Sequence, residues 1–179
     1  MMPSQRRSIY RGRVVSLDVE RVELPNGEQV ELEIVRHPGG AAVVALDEAG
    51  RVCLLRQYRH AAGGWMWELP AGKLDAGESP AITARRELAE EAAVTAAHWE
   101  PLGSVVSSPG VFTEVVHLFL ARDLSPAVAE REHGEVFEAT WVPLERAWSQ
   151  AMKGEIVDGK TVIGLARAYV LLASGAEKV

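Results

Sequence analysis

From Arg13 to Glu20 and again from Gln29 to Arg36, apolar and polar residues alternate with a period of two, as in strands that bury one face. The intervening LPNGE carries an Asn26-Gly27 pair suited to the positive backbone angles of a tight turn, which predicts an N-terminal antiparallel β-hairpin. AAVVAL and RVCLLRQYR flank Asp47-Glu48-Ala49-Gly50 and are apolar runs of strand length, so a second hairpin with buried central strands is expected. A Gly-, Pro- and Trp-rich connection, AAGGWMWELPAGKLDAGES, then leads into a helix. Ser79 as N-cap and Pro80 at the first helical position set its start, and the apolar stripe Ala81, Ala84, Leu88 and Ala92 carries it to about Ala92. Strand-like runs follow at Leu102–Val106, Val115–Leu120 and Val136–Val142, then helical patterns at Leu144–Lys153 and Thr161–Ala173, with a frayed tail from Ser174 to Val179. Strands in hairpins with helices interspersed predict an α/β (α+β) fold, a mixed sheet between helices.

Composition narrows the class. A chain of 179 residues, 47% hydrophobic and 25% charged, is that of a globular protein, and about 70% of its unfolded surface is buried on folding by area scaling. Residues 1–38 read as an N-terminal strand region and 39–179 as one structural unit, without a repeat or a linker between them. With Cys53 as its single cysteine the chain forms no internal disulfide and no cysteine-based zinc cluster; in RVCLLRQY the thiol reads as core, and its use fits a reducing cytoplasm. The basic MMPSQRRSIYRGR lacks the apolar run of a secretory signal, and no stretch of 18 uncharged apolar residues occurs, so no membrane association is expected. A net charge of −6 and a pI near 5.4 argue against a nucleic-acid binder. A polyanionic substrate would have to be met by local cations or metals.

On the predicted helix Glu87 lies three residues before Glu90 and four before Glu91, so the three carboxylates share one side. Like charges at that spacing destabilise a helix unless compensated. Arg85 and Arg86 on a solvated face are one compensation; a bound divalent cation is the other. Magnesium suits a few glutamates, because it keeps several waters and is commonly held by one or two carboxylates plus substrate phosphates.

The surrounding residues favour the cation. Gly72, five residues, Glu78, seven residues, Arg86-Glu87-Leu88, one residue, Glu90-Glu91 and an aliphatic Val94 resemble the Nudix box. Seven fixed positions at ~7% usage each give a chance match on the order of one in a hundred million per start point. The resemblance implies a Nudix-type α/β/α sandwich and metal-dependent hydrolysis of the pyrophosphate bond of a nucleoside diphosphate derivative, with Mg²⁺ or Mn²⁺ as cofactor. It implies that Glu87 and Glu91 ligate metal, that Glu90 helps to hold a further ion, that the Ala71 carbonyl completes the set, and that Arg86 and Glu78 are supports. A buried Arg beside several carboxylates fixes their geometry by bidentate hydrogen bonds while offsetting their repulsion. The box departs from the family at Ala93, where Gly is usual. If that residue is a left-handed helix cap, Ala costs about 1 kcal/mol there.

Substrate choice has to come from outside the box. Pro109 in SSPGVFTE is similar to the downstream proline of the ADP-ribose pyrophosphatase branch, although Ser-Pro-Gly is also ordinary turn chemistry. Arg56 and Arg59 of RQYRH suit phosphates or ribose hydroxyls and equally suit the solvated end of a strand. Trp65, Trp67 and Tyr10 are adenine-stacking candidates, though Trp is more often core. Among Glu132, Glu135 and Glu138 of EREHGEVFEATW the choice for the general base is Glu135, with His133 a weaker candidate. The expected reaction is ADP-ribose to AMP and ribose 5-phosphate. Other nucleotide sugars, NADH or dinucleoside polyphosphates are the alternative substrates, and a non-catalytic ADP-ribose sensor is the alternative class. The resemblance also implies a homodimer, formed through strands where Val14, Val15, Leu32 and Ile34 would cover a partner.

Overall fold

A computed structural model of the chain describes residues 5–128 and 136–176. They fall into two compact units, one of Met1–Gly39 with Val106–Val115, the other of Gly40–Val105 with Val116–Val179.

The first unit is built on β1 (Gln5–Arg11), β2 (Ser16–Glu23) and β3 (Gln29–Arg36), an antiparallel sheet in that order. The predicted hairpin is β2–β3, closing at Glu23 opposite Gln29 with Gly27 at φ 88°. β1 was not foreseeable from alternation, because all of its residues are exposed. It is joined to β2 by backbone pairing and by Arg6 and Arg11, which pair with the buried Asp18, while Arg36 pairs with Asp18 and Glu20. The hydrogen bond from Arg6 holds the Asp18 carboxyl below the usual carboxylate range despite the opposing pull of burial. Segment 106–115 runs along β3, where the Val35 amide donates to the Val111 carbonyl at 2.8 Å.

In the second unit two strands buried on both faces end up in different sheets. β4 (Gly40–Ala45) lies between β7 (Ala71–Lys73) and β9 (Val115–Pro126), with β8 (Val94–Val106) beyond β9. β5 (Arg51–Arg59) lies between β6 (Gly64–Glu68) and β10 (Phe137–Pro143). The expected β4–β5 hairpin is therefore corrected: a single bridge, Leu46 to Val52, joins them. Each run is apolar on both faces and takes a central place in its own sheet, where both faces can be covered. The first sheet is mixed, since β4 is antiparallel to β7 and parallel to β9.

Alternation along β4 and β5 sorts side chains onto two helical layers. Ala41, Val43, Ala45, Cys53 and Leu55 cluster with Ala84 and Leu88 of α1 (Pro80–Ala92). Ala42, Val44, Val52 and Leu54 cluster with Ala147 of α2 (Leu144–Met152) and with Leu165 and Ala168 of α3 (Gly159–Ala176). Helices on both sides of the strands give the α/β/α sandwich expected of the box. α3 includes Ser174 to Ala176, which corrects the frayed start of the tail. Among the described residues no helix is long and apolar enough to cross a membrane.

Candidate active site

α1 begins where the sequence places it. Ser79 is the N-cap and its Oγ accepts from the Ile82 amide at 3.4 Å. It ends on Ala93 at φ 54°, ψ 35°, a left-handed cap whose amide donates to the Ala89 carbonyl. The Cβ of Ala93 is disfavoured there, and the residue is exposed with no packing to lose. Ala93→Gly is therefore expected to stabilise the chain by about 1 kcal/mol, a rise in Tm of about 2–4 °C that calorimetry would read.

The buried face of α1 carries Thr83, Ala84, Glu87, Leu88 and Glu91; Ala81 is exposed and drops out of the expected stripe. Two carboxylates thus sit on the packed side of the helix, 9% and 4% exposed, where unpaired they would be costly. Both face β7. Glu91 Oε2 accepts the Ala71 amide at 2.7 Å. Glu87 lies against Gly72 so closely that a Cβ there would fall 1.7 Å from its Oε1. Gly40, opposite Lys73 on β4, is likewise too near the Gly72 carbonyl for a side chain, 2.8 Å from where its Cβ would stand.

Arg86 ties the acidic residues together. Its Nη1 donates to Glu87 Oε1 at 2.7 Å and to Glu90 Oε2 at 3.1 Å, and its Nε and Nη2 reach the two oxygens of Glu78 at 3.2 Å each. Nη2 also donates to the Lys73 carbonyl at 3.4 Å. One guanidinium thus spans three carboxylates and the strand end, the bidentate support expected of this position. Arg85 does not share the task; it lies over the Trp99 ring at 4.6 Å. Bonds from Arg86 and then from the Thr83 hydroxyl bring the Glu78 carboxyl down to about 2.

A carboxyl whose folded pKa is depressed adds stability above its unfolded value, and that contribution disappears as pH falls toward the folded value. Wild type should therefore out-melt Glu78→Gln at pH 6, and the gap should close between about pH 4.5 and pH 2. A gap unchanged down to pH 2 would take the ionised Glu78 out of the support.

Among the described residues no three His, Cys, Asp or Glu side chains converge on one point; Glu87 and Glu90 turn to Arg86 and Glu91 to Ala71. The donor set still fits a hard cation: three carboxylates beside a backbone peptide, with Gly72 keeping clear the space at Glu87. Cys53 is not part of it. Burial, with the Glu91 carboxylate adding, pushes its thiol up to about 12, so it is inert core.

The expected substrate residues are dispersed. Arg59, on β5, is anchored through Nε and Nη2 to Glu68 at 2.7 and 2.9 Å. Arg56 lies over the Trp65 ring at 5.0 Å, and Tyr58 meets Trp65 edge to face. Trp67 packs partly against the core, while Tyr10 belongs to the first unit, exposed on β1. Pro109 is in the first unit too, exposed in a turn where the Val111 and Phe112 amides donate to the Ser108 carbonyl. Glu138 is exposed on β10, opposite Arg56. Glu132, His133 and Glu135 lie outside the described residues.

Sequence reasoning missed Glu68. It is 2% exposed, yet its carboxyl is held below the usual range because Arg59 and Lys160 outweigh the desolvation that would raise it. A carboxylate in WMWELP had no local signal, since Lys160 is 92 residues away.

The NUDIX domain pattern matches residues 36–163. The chain is 39% identical to an ADP-ribose pyrophosphatase of Bacillus subtilis (strain 168) over 175 residues, 97% of this chain and 95% of that protein. It is 40% identical to a methanol dehydrogenase activator of Bacillus methanolicus over 159 residues, 88% and 86% of the two chains. A crystal structure described as an ADP compounds hydrolase superposes with a TM-score of 0.83 at 22% identity, covering 99% of this chain and 96% of that one. With its helix-borne carboxylates, its Gly72 contact and these likenesses, the chain belongs to the NUDIX domain family.

Proposed function

We propose that the chain hydrolyses ADP-ribose to AMP and ribose 5-phosphate with the help of Mg²⁺ or Mn²⁺. The observation that carries this reading is the meeting of Glu87 and Glu91 at β7, one against Gly72 and the other on the Ala71 amide, under a guanidinium that also holds Glu78 and Glu90. The named activity of the Bacillus subtilis relative supports the substrate, as does Pro109.

In this reading Glu87, Glu90 and Glu91 and the Ala71 carbonyl hold the metal. When bound, the metal neutralises phosphate charge and lowers the pKa of an attacking water. Arg86 and Glu78 keep the carboxylates in place. Arg59, already oriented by Glu68, and Arg56 meet the diphosphate or the ribose hydroxyls. Glu135 is the proposed base. The protein works in the cytoplasm as a homodimer, and the exposure of Val14 at 46%, in the turn between β1 and β2, and of Leu32 at 38%, on β3, supports a partner on the N-terminal sheet.

The test is turnover with and without magnesium, reading phosphate released from the products by added alkaline phosphatase. ADP-ribose is compared with NADH, a sugar nucleotide and a dinucleoside polyphosphate. Rapid, magnesium-dependent cleavage of ADP-ribose is the expected result. Preference for another compound replaces the substrate; metal-dependent binding without turnover replaces the enzyme with a sensor.

A further inference from the structure

Between Glu68 and Ala71 the chain leaves one sheet and enters another: Glu68 pairs with Leu55 on β5, and Ala71 pairs with Ala42 on β4. Such a crossing strips amides of their ladder partners, and a buried amide requires a replacement. Pro70 has no N–H, and its carbonyl accepts the Val43 amide at 2.9 Å. The two amides beside it are both taken by side chains. Glu91 accepts that of Ala71, and Thr161 Oγ1 accepts that of Leu69 at 2.8 Å.

Thr161 is fully buried and its hydroxyl is itself fixed. It donates to Asp158 Oδ2 at 2.6 Å, and the same oxygen accepts the Thr161 amide at 3.1 Å. Lys160, between them in sequence, joins Asp158 at 3.0 Å to Glu68 Oε2 at 2.5 Å. The first turn of α3 therefore holds both residues that precede Pro70. A proline of fixed φ then passes that constraint to the peptide on which Glu91 rests.

We propose that Thr161 is a positioning residue for the metal site, acting through the Leu69 amide to set the Ala71 peptide against Glu91. This rests on the metal roles proposed for Glu91 and Ala71. Metal-bound carboxylates depend on their own hydrogen-bond partners, and loss of such a support typically weakens metal affinity about 10–100-fold. Valine replaces the hydroxyl at nearly equal volume and leaves the Leu69 amide unpaired; serine keeps the acceptor.

The experiment is Mn²⁺ binding by calorimetry on the full chain, with melting curves alongside. Thr161→Val is expected to bind Mn²⁺ about 10–100-fold more weakly, while Thr161→Ser stays within about threefold of wild type. At saturating metal, kcat should fall in Thr161→Val with little change in KM. A Thr161→Val protein that melts lower but binds Mn²⁺ like wild type would overturn the proposal, leaving Thr161 a purely structural contact. If that variant does not fold, Asp158→Asn answers instead: weaker Mn²⁺ binding supports the proposal and unchanged binding overturns it. Wild type that fails to bind Mn²⁺ in a Glu91-dependent way sinks the metal reading itself, an outcome distinct from equal binding by wild type and Thr161→Val.

Discussion

Glu91→Gln is expected to lower kcat for ADP-ribose by about 10³-fold, about 4 kcal/mol of transition-state stabilisation, while the chain stays folded. The two effects separate because Glu91 has two tasks. Its Oε2 accepts the Ala71 amide, and the carbonyl oxygen of a glutamine can do the same in the same volume. The negative charge is what a glutamine cannot supply, and a divalent cation held by few ligands depends on it. The substitution also removes a charge from a site only 4% exposed, so the melting temperature should move little in either direction. Steady-state kinetics with circular dichroism melts would check both halves. Normal turnover would remove Glu91 from the metal site and leave its bond to Ala71 as its whole role.

The parts of this site legible in the sequence are those that one helix carries. Glu87, Glu90, Glu91 and Arg86 lie within a turn and a half of α1, and Ser79-Pro80 fixed the start of that helix to the residue. The left-handed cap at Ala93 was legible only through the resemblance, in which a Gly is usual there and a left-handed helix end is one reason for it. What failed depended on partners distant in sequence. β1 has no buried face to announce it. β4 and β5 looked like a hairpin because two doubly buried runs flank a turn, yet pairing follows the cover available to each face, which no local pattern records. Arg59 read as a solvated or substrate arginine, and its anchor, Glu68, became visible only when Lys160 was brought to it. The box supplied the carboxylates; long-range contacts supply the means of holding them still.

Gly72 shows that dependence at a single atom, and Gly72→Ala should lower kcat by about 10²-fold with only a small loss of stability. The new Cβ would fall 1.7 Å from Glu87 Oε1 and 2.1 Å from its Cδ, so the two groups cannot coexist. The group that yields is the carboxylate, the far end of a flexible side chain, rather than the β7 backbone, which Gly72 and its neighbours pair to β4. The β7 backbone therefore keeps its pairing, but Glu87 is pushed away from Gly72, the neighbour of the residue whose amide Glu91 holds. It also leaves its 2.7 Å bond from Arg86 Nη1, and a shift of about 1 Å in a catalytic constellation can cost about 10²-fold in rate. Mn²⁺ affinity should drop in parallel, because the displaced group is a proposed ligand. The opposite pattern, a large fall in Tm with kcat preserved in the remaining folded fraction, would show that the backbone moved instead. The contact would then serve only the packing of α1 on β7.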